Sequence, residues 1–160
     1  MKNLLADIMA YMEWANAVFF HAWARSPARD NEEMRERVGH LVGVQQAFLA
    51  ILKGQELKGP PSGGPPTYDD LIARAQTSHR GLRDFVAGLD DASMSRTVHV
   101  PWFPDPPCNI PVSDALLQAA MHTQHHRGQL MTRLKDFGGE PKNVDWIIWL
   151  WKSKPEARWS

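Results

Sequence analysis

Proline and glycine divide this chain of 160 residues into four stretches in which apolar residues recur three and four positions apart. Such spacing is typical of amphipathic helices, and dense proline and glycine end helices. Four helices of about twenty residues predict an all-α four-helix bundle, with a long connection before the last long helix. We expect a single domain over residues 1–160. The predicted helices are 4–23, 31–55, 67–89 and 113–137.

Local signals mark where three of these helices begin. Asp30 or Asn31 can cap the second helix, and Thr67 followed by Asp70 resembles a capping box at the start of the third. Ser113 is the predicted cap of the last helix. Between the helices, residues 58–66 predict a loop, and the proline-rich segment 95–111 predicts irregular chain with one short strand at 97–100.

Charge and cysteine content limit the partners and the compartment. The chain has 18 Lys and Arg against 18 Asp and Glu, without a run of five basic residues, so we expect no nucleic-acid partner. Cys108 is the single cysteine, which excludes an internal disulfide and fits a reducing cytosol. Asp7 and Glu13 interrupt the N-terminal apolar stretch. It therefore predicts neither a signal peptide nor a membrane span, and we expect a cytoplasmic protein without a membrane partner.

Three of the seven histidines fall within the five positions 122–126. His122 and His126 are four apart and lie at the edge of the apolar face of the last predicted helix, whereas His125 points nearly opposite that face. His40 shares a stripe with Val44, Ala47, Phe48 and Ile51 and is predicted to face the core from the second helix. The pattern favours a metal site formed by His40, His122 and His126. The pair His122 and His125 is also geometrically possible, but it would turn the metal away from His40.

The chemistry of imidazole agrees with a metal site. Neutral histidine is a common ligand for zinc and nickel, and three histidines leave coordination positions open for a water or a substrate thiolate. A closed structural site would add a fourth ligand, for which Cys108 is the candidate, although its proline-flanked position favours an incidental cysteine. The chain has no Glu-x-x-His pair of the di-iron bundles. Thr123 stands where the zinc-protease motif requires glutamate.

The segment MHTQHHRGQL at 121–130 resembles the signature of the DinB/YfiT-like family, His-x-x-His-His-Arg-Gly-Gln. The segments YMEWAN, GHLVGVQQAFL, GGEP and DWIIWL also resemble parts of that family, so the similarity spans nearly the whole chain. The resemblance implies a four-helix bundle, usually a dimer, with zinc or nickel on His40, His122 and His126. Family members with assigned activity include thiol transferases that use bacillithiol or mycothiol and a mycothiol-dependent maleylpyruvate isomerase.

Other residues of the motif have two interpretations each. Arg127 can bind an anionic thiol cofactor or form a structural contact, and Gln129 can orient a ligand or hydrogen-bond outside the coordination sphere. Asp145 is a candidate hydrogen-bond partner of a ligating histidine. The histidines outside the cluster and the second helix are predicted to be surface or loop residues: His21, His79 and His99.

Three classes of function follow. The preferred one is a metal-dependent enzyme that activates a low-molecular-weight thiol for S-transfer to an electrophile. The alternatives are a non-catalytic stress-response metal-binding protein and a metal-dependent hydrolase that uses a metal-bound water. In each case we expect a small-molecule ligand or the metal alone, and a homodimer in which the aromatic segment DWIIWLW packs in the core or at the subunit interface.

Overall fold

The structure, a computed structural model, describes residues 1–57, 59 and 65–159. Most of this part of the chain is helical, as predicted, and a small antiparallel hairpin precedes the last long helix. Most of the predicted loop 58–66 lies outside the described residues. The elements are α1 (Lys2–Ala24), α2 (Glu32–Leu52), α3 (Tyr68–Ala87), α4 (Asp91–Ser95), β1 (Thr97–Pro104), β2 (Pro107–Pro111), α5 (Val112–Asp136) and α6 (Trp146–Trp151).

The four long helices pack against one another in pairs. Helices α1 and α2 each contact both α3 and α5. Apolar side chains form two large clusters at opposite ends of these helices, one near the hairpin that includes Met9, Phe48 and Leu116, and one that includes Trp23 and Leu71. Between the two clusters lie buried polar side chains from all four helices: Asn16, Gln45, His79, Thr123 and Arg127.

Two of the three predicted helix starts are confirmed. The Asn31 side chain accepts a hydrogen bond from the Met34 amide at the start of α2, and Thr67 and Asp70 form the capping box of α3. The predicted Ser113 cap is wrong, because α5 begins at Val112 without a side-chain cap. The chain enters α5 directly from β2, and the Val112 amide donates to the Arg96 carbonyl at 2.9 Å.

The hairpin corrects the prediction of irregular chain around 95–111. The predicted strand at 97–100 is confirmed and extends to Pro104, and β2 pairs with it so that Val98 lies opposite Ile110 and Val100 opposite Cys108. Its prolines concealed β2 from sequence analysis. Both strands of a two-stranded sheet are edges, where proline is tolerated.

Helix α6 anchors the C-terminal region on α1. Trp149 is buried and its ring lies 6.0 Å from that of Tyr11, whereas Ile147 and Trp151 are 66% and 76% exposed. The Lys154 ammonium also contacts the Asp7 carboxylate at 2.6 Å. The aromatic segment therefore contributes one side to the core and leaves another uncovered. None of the helices in the described part of the chain is long and apolar enough to cross a membrane.

Candidate metal centre

His40, His122 and His126 meet where α2 packs against α5. One ring nitrogen from each lies within 4.8 Å of the others. The ring centroids are 5.3 Å apart for His40 and His122, 4.7 Å for His40 and His126, and 4.3 Å for His122 and His126. Ligands of one tetrahedral zinc ion are roughly 3.3 Å apart, so small side-chain rotations bring the three nitrogens to coordinating distance.

The position of His40 on its helix differs from the prediction. His40 is exposed, although Phe48 and Ile51 of the same predicted stripe are buried. Each step of four residues advances a helix by about 400°, so Phe48 is rotated by roughly 80° from His40. His40 therefore lies at the edge of the apolar face, where its imidazole can reach the half-buried rings of His122 and His126.

Burial keeps two of these imidazoles in the form that binds metal. Burial, and to a smaller extent the neighbouring His126 and His40, together lower the pKa of His122 to about 4. Burial and His40 also lower the pKa of His126. Metal ligation requires neutral imidazole. The buried Nδ1 of His122 has no hydrogen-bond partner among the described residues, a deficit that coordination can satisfy. The three residues therefore fit a divalent metal.

A pocket of about 280 Å³ opens beside His40 and His126. Glu36, Arg37, Gln129 and Leu130 complete its lining. Gln129 thus lies at the pocket, and its Nε2 is 3.0 Å from Nε2 of the exposed His125. The imidazole of His125 lies outside the group of three described histidines that can share one ion.

The side chain of Arg127 contacts α1. It is 1% exposed, and its guanidinium donates to Asn16 Oδ1 at 2.9 Å, to the Tyr11 hydroxyl at 3.3 Å and to Gln124 Oε1. These contacts give it a structural role between α1 and α5. That Arg127 or Gln129 binds a cofactor stays a prediction.

His79 was wrongly predicted to be a surface or loop residue. It is 1% exposed on α3, with its Nε2 2.9 Å from Asn16 Nδ2. Gln45 Nε2 lies 3.5 Å from the same nitrogen and donates to Thr123 Oγ1 at 3.1 Å. Burial lowers the pKa of His79 to about 3, and the positive charge of Arg127 contributes. Its spacing of four residues after Ala75, which itself follows Leu71 by four, was the signal in the sequence.

The remaining candidates lie elsewhere. Asp145 occupies the N-cap position of α6, and no hydrogen bond within the described residues joins it to a histidine. Cys108 lies on β2 and is half-buried. His99 is exposed on β1, as predicted, and hydrogen-bonds Asn109, while His21 is half-buried near the end of α1.

A mainly helical protein with three imidazoles gathered between two packed helices is a candidate metal-binding protein. The family model of the DinB superfamily matches residues 11–130, three quarters of the chain and a range that includes all three histidines. The chain therefore belongs to the DinB superfamily. No curated protein and no solved structure matches it.

Proposed function

We propose that this protein is a divalent-metal-dependent enzyme on a DinB-type four-helix bundle. In this proposal His40, His122 and His126 hold Zn²⁺ or Ni²⁺, and the enzyme transfers the sulfur of a low-molecular-weight thiol to an electrophile. One observation carries the proposal: one ring nitrogen of each histidine lies within 4.8 Å of a ring nitrogen of the other two. Three protein ligands leave coordination positions open, as catalytic rather than structural sites do.

The residues around the pocket favour an external nucleophile. The lining side chains are carboxylate, guanidinium, imidazole, amide and aliphatic groups, without a hydroxyl or thiol among those described. When bound, a divalent ion supplies Lewis acidity that keeps a thiol deprotonated at neutral pH. The co-substrate then provides the sulfur. The exposed imidazole of His40 leaves the pocket open to solvent, and the Gln129 amide can hydrogen-bond a polar group of the thiol.

The proposed reaction balances without a further reactant. The thiolate sulfur attacks an electrophilic carbon, a carbon–sulfur bond forms, and the leaving group departs with its bonding electrons. The thiol proton passes to solvent. Arg37, which also hydrogen-bonds Glu33 at 2.9 Å, places positive charge at the pocket where an anionic substituent of the thiol or the electrophile can be held.

The test is an activity screen of purified protein loaded with zinc or nickel. Bacillithiol, mycothiol and simpler thiols are each combined with halogenated and epoxide electrophiles, and thioether formation is measured. We expect metal-dependent turnover that His122→Ala abolishes and His125→Ala retains. Circular dichroism of both variants controls for folding. Turnover of an ester without thiol would instead establish a hydrolase. Stoichiometric metal without any turnover would favour the non-catalytic alternative.

A further inference from the structure

A second cavity, of about 340 Å³, lies between α1, α5 and α6. Its walls are largely apolar and include Ile8, Met12, Leu117, Met121 and Trp146. A cavity of this size suits a small molecule, and its lining is that of a site for an apolar body. We call it the α1–α5 groove. The histidines of the candidate metal centre instead lie between α2 and α5.

Polar groups line one part of this groove. Arg127, Tyr11 and Gln124 all contribute to its lining. The guanidinium of Arg127 is buried, and each oxygen that accepts its hydrogen bonds is neutral. Within the described residues, none of the ion pairs includes Arg127. A buried charge without a counter-ion is costly, so an anion that reaches it is bound favourably.

The side chain of Gln124 occupies the position where such an anion would sit. Its Oε1 accepts from Arg127 and lies 3.0 Å from the Tyr11 hydroxyl. That hydroxyl also lies 2.8 Å from the Val144 carbonyl, so its single proton serves one acceptor at a time. Gln124 itself is exposed and can turn into solvent. A carboxylate oxygen in its place would make a stronger, charge-assisted hydrogen bond to Arg127.

We propose that the α1–α5 groove binds a small amphiphilic carboxylate. Its apolar chain packs on Met12, Leu117 and Trp146, and its carboxylate replaces the Gln124 amide on Arg127 and Tyr11. The charge of Arg127 and the apolar walls select this class over neutral or cationic molecules of the same shape. The groove faces α1, and none of the three histidines of the candidate metal centre lines it.

Octanoate is the probe, and octanamide is its uncharged counterpart. Protein labelled at the methionine methyl groups is titrated with each while NMR spectra are recorded, because Met12 and Met121 line the groove. We expect octanoate to shift both methyl signals and octanamide to bind about tenfold more weakly. Gln124→Ala removes the competing amide and is expected to tighten octanoate binding. Gln118→Ala, an exposed glutamine on the same helix that does not line the groove, is the matched control.

Three outcomes decide the proposal. Loss of the preference for octanoate in Arg127→Met, and a weaker preference in Tyr11→Phe, support it. If Arg127→Met fails to fold, the comparison of octanoate with octanamide on the unaltered chain stands by itself. Equal binding of the two probes, or an equal response of Gln124→Ala and Gln118→Ala, overturns it. Methyl signals of Met12 and Met121 that respond to protein concentration and not to octanoate would assign the groove to a second copy of the chain.

Discussion

At the scale of single residues, the candidate metal centre depends on which imidazoles share a point in space. His40, His122 and His126 each bring a nitrogen to that point, and His125 hydrogen-bonds Gln129 beside it. Loss of a hydrogen-bond partner outside the coordination sphere typically lowers metal affinity ~10–100-fold, and loss of one of three ligands lowers it further.

Alanine at each of the four histidines therefore separates ligands from neighbours. We expect His40→Ala, His122→Ala and His126→Ala to be purified metal-poor, and His125→Ala to retain near-stoichiometric zinc or nickel. Metal content after dialysis, measured by plasma mass spectrometry, provides the readout. A metal-poor His125→Ala together with a metal-loaded His126→Ala would mean that the ligand set is wrong.

His79 gives the folded protein a dependence on pH. Its pKa is about 3 in the folded state against an ordinary 6.5, so between these values the unfolded chain binds a proton that the folded chain does not. Above pH 6.5 His79 therefore has no effect on the free energy of unfolding. As the pH falls from 6.5 toward 3, His79 makes the free energy of unfolding smaller. At pH 5 the expected loss is about 2 kcal/mol.

Urea unfolding of metal-free protein at pH 7 and pH 5 measures this loss. His79→Gln keeps a side-chain oxygen that can accept from Asn16 and does not titrate in this range. We expect the unaltered protein to lose about 2 kcal/mol more than His79→Gln between the two pH values. Equal losses would show that His79 is not held neutral by burial.

At the scale of elements, some helix starts were predictable and others were not. Asn31 and Thr67 cap their helices through groups three residues away, so a short sequence window contains the whole signal. The prediction that Ser113 caps α5 was wrong because the helix begins one residue earlier, where the Val112 amide donates a hydrogen bond to the Arg96 carbonyl across the hairpin. The burial of His79 could have been predicted from its spacing after Leu71 and Ala75. Its hydrogen bonds could not, because its partners Asn16 and Gln45 come from two other helices.

The cluster of three histidines was easier to predict from the sequence than the surroundings of His79. His122 and His126 are one turn apart on a single helix, and their common direction follows from helix geometry alone. Including His40 required the further assumption that α2 packs against α5 beside His122 and His126. The structure supports that assumption. Its exposure could not be predicted, because the rotation of a helix about its axis is set by packing against its neighbours.

The capping box of α3 provides a test of local stability. Thr67→Ala removes the hydroxyl that accepts from the Asp70 amide at 3.1 Å. We expect a loss of about 1 kcal/mol in the free energy of unfolding, measured with urea. Thr77→Ala is the control, because this exposed threonine lies in the same helix and its hydroxyl donates to the Ala73 carbonyl. A similar loss in both variants would contradict a specific capping contribution.

At the scale of the whole molecule, the exposed side of α6 predicts a homodimer. Ile147 and Trp151 are 66% and 76% exposed, and large apolar side chains are enriched at subunit interfaces. Light scattering at micromolar concentration should give about twice the 18.1 kDa mass of one chain.

The double substitution Ile147→Ser and Trp151→Ser should shift the mass measured by light scattering toward that of one chain, with the helix content unchanged. Lys152→Ser, on an exposed neighbouring residue, should leave the mass unchanged. A monomeric mass for the unaltered protein would refute the dimer.

The buried polar side chains between the two apolar clusters also fix how the long helices line up lengthwise. A slip of α5 by one turn, about 5.4 Å, would still bring leucine and alanine against apolar neighbours. It would, however, take Arg127 from Asn16 and Tyr11, and Thr123 from Gln45. Leaving these buried polar groups without hydrogen-bond partners costs several kcal/mol of folding free energy, whereas the lost apolar contacts are largely replaced by new ones. The same slip would carry His122 past His40. The buried polar contacts therefore hold α5 in the one lengthwise register that brings the three imidazoles together.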